Sequence, residues 1–485
     1  MNTLEVRELH VAGVVHDLAL SIAPGERVGL IGESGSGKTL TALSIMRLID
    51  SQGSITLGDT DLHRLPEKQL CQIRGRRVAM VFQEPMTALD PLLSVGKQIV
   101  EAIRIHDKVP RAKAHQRALK LLSDVDLSDT HFGRYPHELS GGQRQRVIIA
   151  MALAHNPELL ICDEPTTALD VTSQKAIIDL ILNLVATRGM SLLFITHDLG
   201  LVSRTCERLY VLQEGRIVEE GPAKMVLGNP SHDYTRRLLE AAQLPPAKPS
   251  HATDEVVIEV SDATKRFRRT TSVDGISLKV HRGERLGIVG GSGSGKTTLL
   301  KMIAGLEKPT SGTVSVTAPA QMVFQDPMGS LDPRMTIADI VAETLPHPDP
   351  ARVEEVLTQV GIDPALGHRL PHEFSGGQRQ RISIARAIAP HPQIVLADEP
   401  VSALDVSVRK KVLALIDRLV EQEDLTLVFV SHDIAVVRSV CTQVAVMCEG
   451  KVVEYGPADK VLHHPEHPYT RTLIEAVPRL EMANF

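Results

Sequence analysis

Cysteine is scarce and scattered. Cys71, Cys162, Cys206, Cys441 and Cys448 are the five in 485 residues, without C-x-x-C spacing and without a cluster. That excludes a disulfide framework or a zinc ribbon and predicts reduced thiols in the cytosol. The first residues, MNTLEVRELHVAGVV, show no basic segment followed by an apolar core, so no export signal is expected there. No uncharged apolar run approaches the roughly 18 residues that span a bilayer, so a membrane role must come through partners. An excess of positive charge is missing too: the net charge is −6, and composition gives no support for a nucleic-acid partner. The one basic run, IRGRR at 73–77, reads as a solvated surface turn. What remains is an ordinary globular composition, 43% hydrophobic and 23% charged, in a chain long enough for two cores.

What is present comes twice. GESGSGKT (32–39) pairs with GGSGSGKT (290–297), and MVFQEPM (80–86) with MVFQDPM (322–328). LLICDEP (159–165) pairs with IVLADEP (394–400), ITHD (195–198) with VSHD (430–433), and DYTRRLL with PYTRTLI. From Ser140 and Ser375 onward the two copies keep one constant offset, through Asp163 and Asp398 to Tyr234 and Tyr469. Between the glycine loop and MVFQ the second copy is shorter, 298–321 against 40–79. Domain-sized units of this kind indicate a tandem duplication, with halves at 1–242 and 255–485. The stretch between, 243–254, has the Pro, Ala and polar residues of a linker. Within each half, short apolar strands alternate with helices. RVGLIG and RLGIVG run into glycine loops, while LLIC, IVLA, SLLFITHD and TLVFVSHD read as buried parallel strands. That order predicts an α/β fold: a parallel sheet with helices on both faces and a helical insertion before the SGGQ segment.

Both glycine loops satisfy G-x-x-x-x-G-K-[ST] between a strand and a helix, the context a P-loop requires. Gly32, Ser34, Gly35, Ser36 and Gly37, with Gly290, Ser292, Gly293, Ser294 and Gly295, would turn backbone amides toward phosphate oxygens. Lys38 and Lys296 would reach the outer phosphates of ATP, and Thr39 and Thr297 would ligate Mg²⁺. Asp163 and Asp398 end apolar strands, where ligands of open α/β sheets sit, and would hold the metal. Glu164 and Glu399 beside them would polarise the attacking water. His197 and His432 follow these pairs at matched positions, each at a strand end, and would contact the γ-phosphate. Gln83 and Gln325 follow VF in both halves and are assigned to the metal as well. A single copy of either residue would pass for an ordinary structural or loop residue; the matched recurrence argues for chemistry.

ELSGGQRQR (138–146) and EFSGGQRQR (373–381) hold no nucleophile or base. Ser140 and Ser375 read as N-caps of the helices that follow. Each copy lies at the same distance before its Asp-Glu pair, and each offers a hydroxyl, glycine amides and a helix N-terminus. Those are phosphate-binding parts, although each half already has a P-loop.

With these motifs in order, the chain resembles the ABC ATPases over nearly its whole length. The resemblance implies two tandem P-loop NTPase domains, each with a parallel-sheet core, a peripheral antiparallel β region and a helical subdomain. It also implies head-to-tail pairing of the halves around two ATPs. Ser375, Gly376 and Gly377 would then complete the site around Lys38; Ser140, Gly141 and Gly142 would complete that around Lys296. Asp170 (in TALDV, 167–171) and Asp405 (in SALDV, 402–406) would cross between the sites. FQEPMTALDPLLSVGKQI, FQDPMGSLDPRMTIADIVAE, NPSHDYTRRLLEAA and HHPEHPYTRTLIEAVP are similar to importer ATPases for dipeptides, oligopeptides and nickel. That narrower resemblance implies two membrane permeases, a solute-binding protein outside, and a peripheral place on the cytoplasmic face of the membrane. The rival is a soluble tandem-ABC translation ATPase on ribosomes, but such proteins carry a long charged linker, and this one is short and Pro-rich. Three departures from the family matter. The second half's short segment before Gln325 trims the peripheral β region and leaves the catalytic motifs intact. Phe267 can stack on adenine in the second half, whereas the first half offers only His10. No cysteine-rich segment follows YTR, so no iron–sulfur cluster is expected.

Overall fold

The computed structural model describes residues 2–82, 88–167, 169–268, 270–402 and 404–478. The chain divides into two compact units, drawn chiefly from Met1–Leu169 with Ser173–Ala242 and from Gln243–Val477.

In the first unit a six-stranded sheet runs Arg216–Pro222, Arg208–Gln213, Arg27–Ile31, Ser191–Ile195, Leu159–Asp163, Val78–Val81. All neighbours are parallel except the edge pair Arg216–Pro222 and Arg208–Gln213. Every residue of Leu159–Asp163 and of Ser191–Ile195 is buried, as expected of strands covered on both faces. Successive side chains leave opposite faces of a strand. Accordingly Leu160, Cys162, Leu192 and Phe194 join one apolar core, while Leu159, Ile161, Leu193 and Ile195 join another. The first core is completed by the helices Val95–His106, Arg111–Asp124 and Gly141–Ala152. The second is roofed by an antiparallel sheet, Val15–Ile22, Leu4–Val11, Gln52–Leu57, Thr60–Asp61.

The second unit repeats this plan with the order Ala320–Val323, Ile394–Asp398, Thr426–Val430, Arg285–Val289, Gln443–Cys448, Lys451–Pro457. Its antiparallel sheet has three strands, Thr270–His281, Val256–Phe267 and Ser311–Val316. The shorter segment before MVFQ accounts for the difference: among the described residues, the small strand Thr60–Asp61 and the helix Glu67–Ile73 have no counterpart. The parallel-sheet cores, antiparallel sheets and helical insertions are those expected from sequence.

One surface reading changes in part. IRGRR does contain a turn, with Arg76 exposed in it, but Arg74 and Arg77 are committed. Arg74 pairs with Glu67 and donates to the Met46 carbonyl at 2.7 Å, and Arg77 pairs with Glu158 at 2.7 Å. The 243–254 stretch is laid against the second unit. The Ala247 amide donates to the Arg438 carbonyl at 2.8 Å, and Lys248 pairs with Glu421 at 2.9 Å and Asp417 at 3.1 Å.

Candidate active sites

Each P-loop joins a central strand to a helix: Arg27–Ile31 to Lys38–Ile45, and Arg285–Val289 to Lys296–Ile303. Only glycine fits two positions. A Cβ on Gly32 would lie 2.2 Å from the Leu212 carbonyl oxygen, and one on Gly290 would lie 2.3 Å from that of Met447. Gly37 and Gly295 cap their helices at φ of 104° and 99°, in left-handed conformation that a side chain would strain. Lys38 is 6% exposed, and its Nζ donates to the Gly32 and Glu33 carbonyls at 2.8 Å each. Lys296 does the same to Gly290 at 2.9 Å and Gly291 at 2.8 Å. Burial pulls the Lys296 ammonium below its usual value, against the attraction of Glu399 and neighbouring acids. Each lysine thus rests folded into a cradle of carbonyls, short of solvent.

The carboxylates occupy the last pleat of buried strands. Asp163 is 2% exposed, and burial pushes its carboxyl up to about 6, with the Thr39 hydroxyl and Lys38 opposing. Its Oδ1 is buried with no hydrogen-bond partner in the protein, as is the Ser36 Oγ. An orphaned carboxylate oxygen and an orphaned hydroxyl beside a buried lysine suit a divalent cation and a phosphate, so the residues fit Mg²⁺ and ATP. In the second half the Thr297 hydroxyl donates to Asp398 Oδ1 at 3.2 Å, and burial again raises the aspartate.

Glu164 and Glu399 have φ of 47° and 45°, an uncommon conformation for a non-glycine residue. Their amides are pinned to the Ile195 and Val430 carbonyls at 2.9 Å each. His197 Nδ1 lies 3.0 Å from Glu164 Oε1, and His432 Nδ1 lies 3.0 Å from Glu399 Oε2. Burial would raise both glutamates, but the histidines and lysines overcome it and hold them below the usual range. Burial pulls His432 down, yet Glu399 more than offsets this and lifts it. Thr167, which the sequence reading did not single out, donates to Glu164 Oε2 at 2.9 Å. Gln325 Nε2 donates to Glu399 Oε2 at 3.2 Å, while Gln83 lies outside the described residues.

Ser140 and Ser375 are helix caps, each with a reciprocal bond to the glutamine three residues on. Both are exposed, and the glycines after them open the helices Gly141–Ala152 and Gly376–Ile388. Asp405 caps the helix Val406–Gln422, accepting from the Val408 amide at 3.0 Å; Asp170 is buried and accepts from Thr172 at 2.6 Å. Phe267 ends its strand 44% exposed, with Lys265 Nζ 5.0 Å from the ring centroid. His10 is exposed and accepts from the Asp17 amide at 3.4 Å.

The family model described as "ABC transporter" matches residues 15–167 and again 273–402. The chain belongs to the ABC transporter ATPase family. It is an ATPase whose hydrolysis is coupled to transport. A second model, "Oligopeptide/dipeptide transporter, C-terminal region", matches 218–266 and 453–484, one copy behind each cassette. The chain is 43% identical to the "Peptidoglycan transport ATP-binding protein YejF" of Agrobacterium fabrum, over 99% of this chain and 97% of that one. It is 39% identical to the "Glutathione import ATP-binding protein GsiA" of Escherichia coli K12, over 99% and 90%. Among solved structures, an archaeal ribosome recycling factor, aABCE1, in complex with the ribosomal stalk protein aP1, superposes with a TM-score of 0.66. That match covers 92% of this chain and 88% of the other at 23% identity, so it shows the tandem-cassette fold alone.

Proposed function

We propose that this chain is the ATP-hydrolysing subunit of an importer for di- or oligopeptides, or for a related small solute such as nickel or a metal chelate. It works peripherally on the cytoplasmic face of the membrane with two permeases and an external solute-binding protein. The observation that carries the reading is the tail matched to oligopeptide and dipeptide transporters behind each of two complete sets of catalytic residues. The relatives named for peptidoglycan transport and glutathione import support it. Open clefts beside the VF segments support permease docking. A cavity of about 340 Å³ is lined by Met80, Phe82, Ala88, Ile148, Met151 and Ala152. Its counterpart of about 220 Å³ includes Met322, Phe324, Thr344 and Arg386.

In this mechanism residues 1–242 and 255–485 are the two cassettes, joined by 243–254. Lys38 and Lys296 leave their carbonyl rests for the outer phosphates of ATP. Thr39 with Asp163, and Thr297 with Asp398, would hold Mg²⁺, whose bound charge stabilises phosphate oxygens. Glu164 and Glu399, kept ionised by their histidines, orient water and draw its proton. Ser140 and Ser375, with the glycines after them, close on the opposite cassette's nucleotide, and Asp170 and Asp405 link the two sites. Catalysis is then positioning and fixed electrostatics. Replacing both bases, Glu164→Gln with Glu399→Gln, should lower turnover by about 10²- to 10⁴-fold while sparing ATP binding. Wild-type hydrolysis by that double variant would refute the assignment. Co-purification with ribosomes in place of membrane permeases would favour the translation-factor reading.

A further inference from the structure

The catalytic scheme above leaves two matched tyrosines unused, one in each tail helix. Tyr234 stands on the helix Asp233–Ala242 and Tyr469 on Pro468–Ala476, at the same offset that relates Ser140 to Ser375. The Tyr234 hydroxyl accepts a hydrogen bond from the Glu33 amide at 3.0 Å, and that of Tyr469 accepts from the Gly291 amide at 2.8 Å. Glu33 and Gly291 are the second residues of the two P-loops.

The same peptide unit is held at its other end. The Gly32 carbonyl belongs to the peptide whose N–H is that of Glu33, and it accepts from Lys38 at 2.8 Å. In the second half the Gly290 carbonyl accepts from Lys296 at 2.9 Å. In a planar trans peptide N–H and C=O point in opposite directions. The tyrosine therefore grips the outer edge of the loop and aims the carbonyl inward at the lysine.

The tyrosines are themselves mounted. The Tyr234 amide donates to His232 Nδ1 and that of Tyr469 to His467 Nδ1, both at 3.2 Å. The amides of His232 and His467 donate to Glu219 and Glu454, at 3.2 Å and 3.1 Å, on the antiparallel edge strands of the two main sheets. Tyr234 is 4% exposed, and burial raises the Tyr469 phenol. Acid, histidine and tyrosine recur as a set in both halves.

We propose that Tyr234 and Tyr469 are positioning residues for ATP binding: each locks the first peptide of its P-loop so that the loop is already shaped for phosphate. The transporter-type tail thereby becomes part of the nucleotide site. This rests on the ATPase reading of the two loops.

The test uses the full chain with Tyr234→Phe, with Tyr469→Phe and with both. Readouts are Mg²⁺-dependent titration with a fluorescent ATP analogue, ATP turnover and thermal unfolding. Losing one neutral hydrogen bond that pre-shapes a loop should weaken binding about threefold to tenfold. Each single variant should weaken one of the two sites and the double variant both, with kcat at saturating ATP within about twofold of wild type and Tm little changed. Unchanged affinity overturns the proposal, whether or not Tm falls, because a merely structural tyrosine lowers Tm alone. Failure of the wild-type chain itself to bind the analogue would overturn the ATPase reading and this proposal with it; normal wild-type binding isolates the tyrosines.

Discussion

Asp163 pays for its position in stability, and the cost can be measured. Its carboxyl is buried, one oxygen lacks a partner, and its pKa is raised from an ordinary 3.8 to about 6. A group whose folded pKa is raised favours the fold while protonated and loses that advantage as pH climbs through the folded value. Between pH 3.8 and about 6 the unfolded chain gives up this proton and the folded chain keeps it. At pH 7 the ionised carboxylate therefore costs the fold about 3 kcal/mol, and at pH 4 less than about 1 kcal/mol. Asp163→Asn removes the charge and keeps the shape, so without metal or nucleotide it should stabilise the first cassette by about that amount at pH 7 and hardly at all at pH 4. The assay is denaturant unfolding of the full chain in EDTA, following the first cassette's own transition, since two units need not unfold together. The same variant should lose Mg²⁺-dependent hydrolysis at that site. No gain at pH 7, or an equal gain at pH 4, would refute the account of a carboxylate held in waiting for a cation.

His432→Ala leaves Glu399 its burial without its partner, so the glutamate's pKa should rise. The acid limb of the pH–kcat profile should move to higher pH and turnover at pH 7 should fall at least about tenfold; an unmoved limb would count against the pairing. Phe267→Ala, tested in a Lys38→Ala background to isolate the second site, should weaken ATP there about fivefold or more if its exposed ring stacks on the base. An unchanged titration would remove Phe267 from the site.

Much of this was legible because it is local. A glycine loop between an apolar strand and a helix, or two acids closing a buried strand, carries its own context within a short stretch of chain. The duplication then separated Glu164, His197 and their twins from the many acids and histidines that do nothing. What stayed hidden depends on long-range contact or on backbone angle. Nothing in DEP announces that Glu164 and Glu399 sit at positive φ, because the pinning carbonyls, Ile195 and Val430, come a whole helix and strand later. Thr167 resembled any loop threonine. The repeated tyrosine was visible as a family mark, but its partner in the P-loop lies 201 residues away in one half and 178 in the other. Its matched spacing to His232 and Glu219 was the available clue. Arg77 of IRGRR misled for the same reason, since Glu158 is 81 residues away.

The place of the P-loop strand sets an order of events during synthesis. Arg27–Ile31 is among the first strands to leave the ribosome, yet its neighbours in the sheet are Ser191–Ile195 and Arg208–Gln213, and the hydroxyl that braces its loop arrives with Tyr234. The loop residues must wait, unpaired, for most of the half to be translated, and the second half repeats the delay. Full-strength nucleotide binding therefore comes late in each half, and a chain truncated before its tail should emerge with every catalytic residue present and its P-loop still unbraced.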